Sequence, residues 1–552
     1  MRAINLFLLT FFLLTSCRKQ PTAVSSSDSP RIVNIINFIR QLEPRTDDPN
    51  LMQDELYETV VEQIKQLKHY GLPGTFLLQY DALLNPKYQE LLKNELAAGF
   101  EVGAWWEITQ PHAEAVGLVW RGRFPWDWHA DVGFATGYTP EEREKLVDEY
   151  MDKFKSVFGK YPASVGSWFI DAHTLGYLYD KYHIVASCNC KDQVGTDGYT
   201  LWGGYWNQAY YPSRKNAYMP AQTETGQIPV PVFRMLGSDP IYQYEAGLGG
   251  RSQHVISLEP VYQGHEGGGG ERRWVEWFFC SMFDEPCLAF NYVQAGQENS
   301  FTWAQMKKGL EIQIPLIDSL RKQSKVRVET LETSGRWFRE KYPLTPATAV
   351  TALTDFRNQG NKTVWYNSRF YRANLVWEGD AFRFRAIHLF DERMESDYLT
   401  KAGTSTQCVY TTLPLVDGFF WSSRDKKAGL RLTDKDGNHP AVNTPVVSEL
   451  PDNVLQIEFS TVSGQTFKIV FYDDRFEVIC TKGDAGWSLE LETVPDAELP
   501  FRSIENSQIK ASWNGFDYSV IFEKGAVEKT DNSVFRIKPD KNKIVVNCSK
   551  RI

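Results

Sequence analysis

Between residues 31 and about 330 the chain alternates short apolar runs with longer stretches of helical period, and this alternation restricts its fold more than any other feature. Ile32 to Ile39 reads as a strand. Asp54 can cap the helix after it, whose Leu56, Val60, Ile64 and Leu67 fall one or two turns apart before Gly71. Thr75 to Leu78 is a second strand, and Asn85-Pro86 opens a helix that Gly99 stops. Phe100 to Trp106 is a third strand. Thr139-Pro140-Glu141-Glu142 is a capping box for a helix running to Gly159. Further strands are expected at Ala163 to Ile170, Ile184 to Cys188, Pro231 to Leu236 and Cys287 to Val293. Further helices are expected at Glu271 to Phe283 and Thr302 to Gln323. Strands apolar throughout, each followed by a helix, are the pattern of a parallel sheet covered by helices. No Gly-x-Gly-x-x-Gly follows the first strand, which disfavours a dinucleotide fold. An α/β barrel of (β/α)7 type is expected over residues 31–343.

Beyond Pro343 the period changes to two. Runs such as Thr363-Val364-Trp365-Tyr366 and Phe382 to Ile387, with Gly, Asp and Asn between them, predict an antiparallel β-sandwich over residues 344–552.

The N-terminus reads as an export address. Met1-Arg2 and the apolar run Ile4 to Leu14 make a secretory signal too short to span a bilayer. Its ending, Leu14-Thr15-Ser16-Cys17, resembles the bacterial lipobox, which implies lipidation at Cys17 and anchorage of an exported lipoprotein, on the outer membrane by expectation. Residues 18–30, rich in Ser, Thr and Pro, read as a flexible tether.

Lys and Arg number 60 against 69 Asp and Glu, a formal charge of −9, so the chain has no electrostatic reason to seek nucleic acid. Aromatics make up 14% of it, a share that suits either sugar-stacking walls or core filling. Seven cysteines follow Cys17. Cys280 and Cys287 are close enough in sequence to pair, and no second Cys pair matches Cys188-Asn189-Cys190 as a zinc site would require.

Acids stand where the strands end, the face on which barrel chemistry is built. Glu43 and Arg45 follow the first strand, Glu107 the third, Asp171 and His173 the fourth, and Glu298 the last, with Glu259 in Ile256 to Pro260 as another. Paired carboxylates on opposite sides of a scissile bond are what glycosidic cleavage needs. Each also has a plain structural reading: Asp171 as a helix cap, Glu298 as helix-start chemistry, Glu43 and Arg45 as an ion pair. The Gly267 to Gly270 run is read as a mobile loop.

Gly71-Leu72-Pro73-Gly74-Thr75-Phe76 and Gly99-Phe100-Glu101-Val102-Gly103 resemble two stretches of the polysaccharide deacetylases of carbohydrate esterase family 4. That family's two metal-binding His positions correspond to Trp105 and Thr109, and its first-strand Asp-Asp is replaced around Leu42-Glu43, so its metal site looks absent. Trp168-Phe169-Ile170-Asp171 is similar to the Trp-Leu-Pro-Glu of family 57 glycoside hydrolases, where the acid is the nucleophile. The resemblance implies that role for Asp171 and the general-acid role for Glu298, with Asp for Glu and Glu for Asp as departures. The expectation is a lipid-anchored glycoside hydrolase working without a cofactor or metal on a poly- or oligosaccharide. Glu43, Arg45, Glu107, Glu259 and His173 would surround the sugar, Trp105, Trp106 and Trp168 would form stacking walls, and Trp126 and Trp128 a lid or subsite. The rivals are a metal-dependent deacetylase using His112, His129 and Asp131, and a non-catalytic glycan-binding lipoprotein.

Overall fold

The computed structural model describes residues 23–24, 29–41, 49–96, 99–250, 252–264, 266–483, 486–530 and 533–550. Cys17, most of the tether, Glu43 and Arg45 lie outside the described residues.

The protein is a mixed α/β molecule whose first half is built on a barrel-like sheet. Seven strands run parallel in it: Arg31–Ile39, Thr75–Leu78, Glu101–Trp105, Ser164–Gly166, Ala186–Asn189, Val232–Arg234 and Asn291–Ala295. The last pairs with the start of the first, and the others follow in chain order, with Ala209–Tyr210 antiparallel at the sixth strand's edge. Among the described residues no ladder closes the sheet between the sixth and seventh strands. Side chains bridge there instead: Gln208 Nε2 donates to Asn291 Oδ1 (2.6 Å), and the Leu236 N–H to Gln294 Oε1 (2.8 Å).

Local signals place the helices. Thr139 and Glu142 form the reciprocal capping box of Pro140–Phe158, which Gly159 ends at φ 74°. Glu271 caps Arg272–Phe283, and Thr302–Lys322 is the long helix after the seventh strand. Two elements differ from expectation. The fourth strand stops at Gly166, because Ser167 Oγ turns to the Trp106 carbonyl and the apolar Trp168-Phe169-Ile170 packs as loop. A further strand, Arg327–Glu329, pairs with the first strand and leads to helix Leu331–Lys341.

From Thr348 onward the described elements are strands, apart from the short turn Pro451–Asn453. They form two antiparallel sheets whose rings meet face to face, among them Tyr366 and Phe471 (5.0 Å) and Phe382 and Phe459 (4.8 Å). The two halves share a core. Cys408–Thr411 from the second half adds a strand to Tyr199–Trp202 of the first, and Trp206 stacks on Trp365 at 3.7 Å. Eight tryptophans are almost fully enclosed, so much of the aromatic content is core filling. Cys188, Cys190, Cys287 and Cys408 are buried free thiols, so Cys287 does not pair with Cys280.

Candidate functional site

At the C-terminal mouth of the parallel sheet a single guanidinium organises two carboxylates. Arg40, the residue after the first strand, holds Glu107 with two hydrogen bonds (2.7 and 3.1 Å) and places Nη1 2.7 Å from Glu298 Oε2. The guanidinium lies 4.1 Å from the Trp126 ring centre. Gln79, after the second strand, donates to Glu107 at 2.6 Å. Beside them the Asp81 carboxyl is pushed up to about 7 by burial, with the Glu107 charge adding to it.

The seventh strand ends in a turn that only glycine accommodates. Gly296 has φ 90°, and a Cβ there would sit 2.3 Å from the Ile36 carbonyl oxygen. The turn delivers Gln297 and Glu298 side by side. Gln297 Nε2 donates to Glu259 Oε2 (2.9 Å), whose other oxygen accepts from Ser257 Oγ (2.9 Å). Burial raises the Glu259 carboxyl above the ordinary range, with nearby Lys191 opposing the shift. Ser300 Oγ donates to Glu298 Oε1 at 2.7 Å. Tyr262 marks the half-exposed rim: its phenol is raised first by burial and then by the charges of Glu259, Asp197 and Glu298. The mouth therefore carries two adjoining carboxylates in opposite settings, Glu259 desolvated toward its neutral form and Glu298 facing a cation.

Aromatic walls flank them. Trp105 and partly exposed Trp168 meet edge to face at 5.2 Å, with Phe38 against both. The indole N–H groups of Trp105 and Trp126 and the Gln79 carbonyl oxygen are buried and find no partner among the described residues. Unpaired buried donors and acceptors at a mouth suit a ligand rich in hydroxyls.

Other expected site residues lie elsewhere. Asp171 is fully enclosed: it caps helix Ala172–Tyr182 through the Thr174 N–H and hydroxyl, and pairs with Arg143 at 2.9 Å. Its contacts are those of a structural ion pair, a correction to its expected place beside Glu298. Trp106 points to the helix side and packs on His112 and Tyr150, while its neighbour Trp105 faces the interior, as alternation along a strand requires. His173 bonds Glu144 on the outer helices (3.0 Å). Trp128 stacks near Phe124 on the loop outside Trp126, with Arg123 over its ring. Glu298 does stand at the start of a short 3-10 turn, with no cap bond from its side chain.

The sequence reading missed Arg40, Gln79, Asp81, Lys191, Gln297 and Tyr262. All but Tyr262 follow a strand by at most three residues, so extending the strand-end rule from acids to cations and amides finds them.

Among the described residues the positions expected to hold the deacetylase metal carry no metal ligands. Trp105 and Thr109, at the two His positions, are buried without a metal-binding atom in the indole case and as a lone hydroxyl in the other, and Arg40 occupies the first-strand end. His112 bonds the Leu146 carbonyl, stacks on Tyr80, and is held down to about 4 by burial. It does not join His129 and Asp131. Among the described residues no group of three or more His, Cys, Asp or Glu is placed to hold a metal ion.

Asp171→Asn tests the structural assignment. It keeps the cap acceptor but leaves Arg143 without its counter-charge. The expected cost is about 1–3 kcal/mol of stability in urea unfolding, with turnover per folded molecule unchanged.

No protein-family model matches the chain, and no curated protein matches it. Among solved structures, a glycoside hydrolase/deacetylase of Parabacteroides distasonis is 16% identical with a TM-score of 0.52, over 71% of this chain and 92% of that one. A polysaccharide deacetylase of Mycobacterium smegmatis is 14% identical over 59% of this chain and 96% of that one (TM-score 0.34). A 4-alpha-glucanotransferase of Thermococcus litoralis is 10% identical over 94% and 97% (TM-score 0.32). The last two carry no weight at those scores. The first establishes a shared fold, and the chain is to that extent similar to the Parabacteroides protein.

Proposed function

We propose that the protein is a carbohydrate-active enzyme that hydrolyses a glycosidic bond, with Glu259 as general acid and Glu298 as nucleophile or base. The observation that carries this reading is the pair itself: neighbouring carboxylates linked through Gln297, one desolvated and one facing Arg40. A neutral Glu259 can protonate the leaving oxygen. Glu298, paired with the Arg40 guanidinium, can attack the anomeric carbon or activate water. Trp168, backed by the enclosed Trp105, offers an apolar face to the ring; the indole N–H groups can donate to hydroxyls and the Gln79 oxygen can accept from them. The assignment keeps Glu298 from the sequence expectation, changes its role and replaces Asp171 by Glu259. The shared fold with a protein named as glycoside hydrolase/deacetylase is consistent with carbohydrate chemistry. In the same reading residues 31–343 are a (β/α)7-type catalytic barrel and residues 344–552 an accessory β-sandwich.

Release of reducing ends from a panel of glycans, with and without chelator, tests it. Chelator-resistant release that Glu259→Gln and Glu298→Gln abolish is the expected result. Release that survives both substitutions overturns the site, and acetate release without reducing ends turns the reaction toward a deacetylase.

The export address belongs to this reading as well. No helix among the described residues is long and apolar enough to cross a membrane. In this reading attachment comes from acyl chains at Cys17, each buried CH₂ contributing ~0.8 kcal/mol. Cys17→Ser is expected to move the protein from the detergent phase to the aqueous phase in Triton X-114 partitioning of cells and to abolish palmitate labelling.

A further inference from the structure

Resting on the glycosidase reading, we propose that the substrate is an acidic glycan, and that Lys191 binds the carboxylate or sulfate of one of its sugars beside the scissile bond. Lys191 stands two residues past the fifth strand, Ala186–Asn189, at the same end of the sheet as Arg40 and Glu298. Its side chain is enclosed, with the residue only 1% exposed. An ammonium has three donors, yet among the described residues this one bonds only Gln193 Oε1, at 3.5 Å, an oxygen that also accepts from the Cys190 thiol. A buried cation that poorly satisfied is costly unless something completes it.

Glu259 is a carboxylate within its electrostatic reach. Glu259, however, is already bonded at both oxygens by Ser257 and Gln297, and the general-acid role requires it neutral. Whenever Glu259 carries its proton, Lys191 is an uncompensated charge. Arg40 differs in this respect, since Glu107 and Glu298 both face it. Next along the chain, Asp192 gives no relief either: its oxygens are taken by Arg234, Arg372, Tyr218 and the Gly203 N–H. An anionic group on the ligand would supply the missing charge and the missing acceptors together. The Trp168 carbonyl accepts from the Cys190 N–H, which holds this loop against the aromatic wall where a sugar ring would lie.

The overall charge of −9 sharpens the test, because the chain as a whole repels polyanions. A preference for acidic glycans must therefore come from a local cation. Affinity is measured by calorimetry on the full chain carrying Glu298→Gln, so that binding is read whether or not cleavage occurs. The probes are uronate oligosaccharides, their carboxyl-reduced counterparts of equal length, and sulfated oligosaccharides. A uronate or a sulfated probe should bind about tenfold or more tightly than its neutral counterpart, as charge-assisted hydrogen bonds do, and the better of the two identifies the anion. Lys191→Met should erase that preference and Lys191→Arg should retain most of it. Equal binding of acidic and neutral probes, no binding of any acidic probe, or a preference that survives Lys191→Met overturns the proposal. Preferential binding without reducing-end release from the wild type would sink the glycosidase reading and leave the acidic ligand standing.

Discussion

Glu298→Gln is expected to lower kcat/KM on the glycan substrate by about 10²–10⁴-fold, without loss of thermal stability. The two halves of this expectation have separate causes. Activity falls because the amide cannot act as nucleophile or base. Stability holds because Arg40 keeps its two-bond contact with Glu107. In formal charge the buried trio of Arg40, Glu107 and Glu298 is −1, and the substitution makes it neutral. A carboxylate whose removal relieves charge is retained for something other than stability. Glu259→Gln should lose as much on natural glycans but recover on aryl glycosides whose leaving group needs no proton. Its pH profile should differ as well. The neutral form of Glu259 is the competent acid and its carboxyl is raised, so wild-type activity falls as pH rises through that pKa, and the variant lacks this alkaline limb. A drop in melting temperature with unchanged turnover in Glu298→Gln would make the carboxylate structural and remove it from the mechanism.

The barrel-like half was legible because its signals are local. Thr139 and Glu142 cap a helix through neighbours three residues apart, and Thr75–Leu78 is a short apolar run bounded by Gly74 and the next helix, as an interior strand is. Helix Leu331–Lys341 escaped because its buried apolar side chains, Leu331 and Phe338, are few and stand seven residues apart among charges. Trp168-Phe169-Ile170 misled in the opposite way, since an apolar run records burial and not the strand conformation. The site was half legible for a related reason. A strand end fixes where a side chain starts, and the partner that claims it comes from far along the chain. Arg143, on a helix 28 residues upstream, claims Asp171, whereas Gln297 reaches 38 residues back to hold Glu259. Nothing local distinguishes those two acids.

Asp192→Ala is expected to destabilise the protein by about 3–5 kcal/mol, the cost of breaking a buried ion pair from one side. The Asp192 carboxylate is wholly enclosed and lies between Arg234, from the sixth parallel strand, and Arg372, from the first antiparallel sheet. Tyr218 donates to the same carboxylate and lies 3.1 Å from Arg234. Arg372 also donates to the Gly204 carbonyl at 2.8 Å and sits within 6 Å of the Trp202, Trp206 and Trp365 rings, so it crosses from one half of the molecule to the other. Without Asp192 two guanidinium groups face each other in an interior that cannot hydrate them. Arg372→Met in the Asp192→Ala background should therefore restore part of the loss, because it removes one of the stranded charges and leaves an apolar stem against the tryptophans. Urea unfolding followed by both tryptophan fluorescence and far-ultraviolet circular dichroism measures this, the two probes being needed because a chain of 552 residues need not unfold in one step. Non-coincident transitions in Asp192→Ala, against coincident ones in the wild type, would mark the cluster as the joint between the halves. A loss below about 1 kcal/mol, the range of an exposed pair, would mean that solvent reaches the arginines and that the joint lies in the tryptophan stack instead. The same substitution bears on the mouth, since Lys191 and Asp192 leave the fifth strand as neighbours, one turned to Glu259 and the other to the interface. Loosening the second is expected to blur the position of the first, and affinity for acidic glycans should fall together with stability.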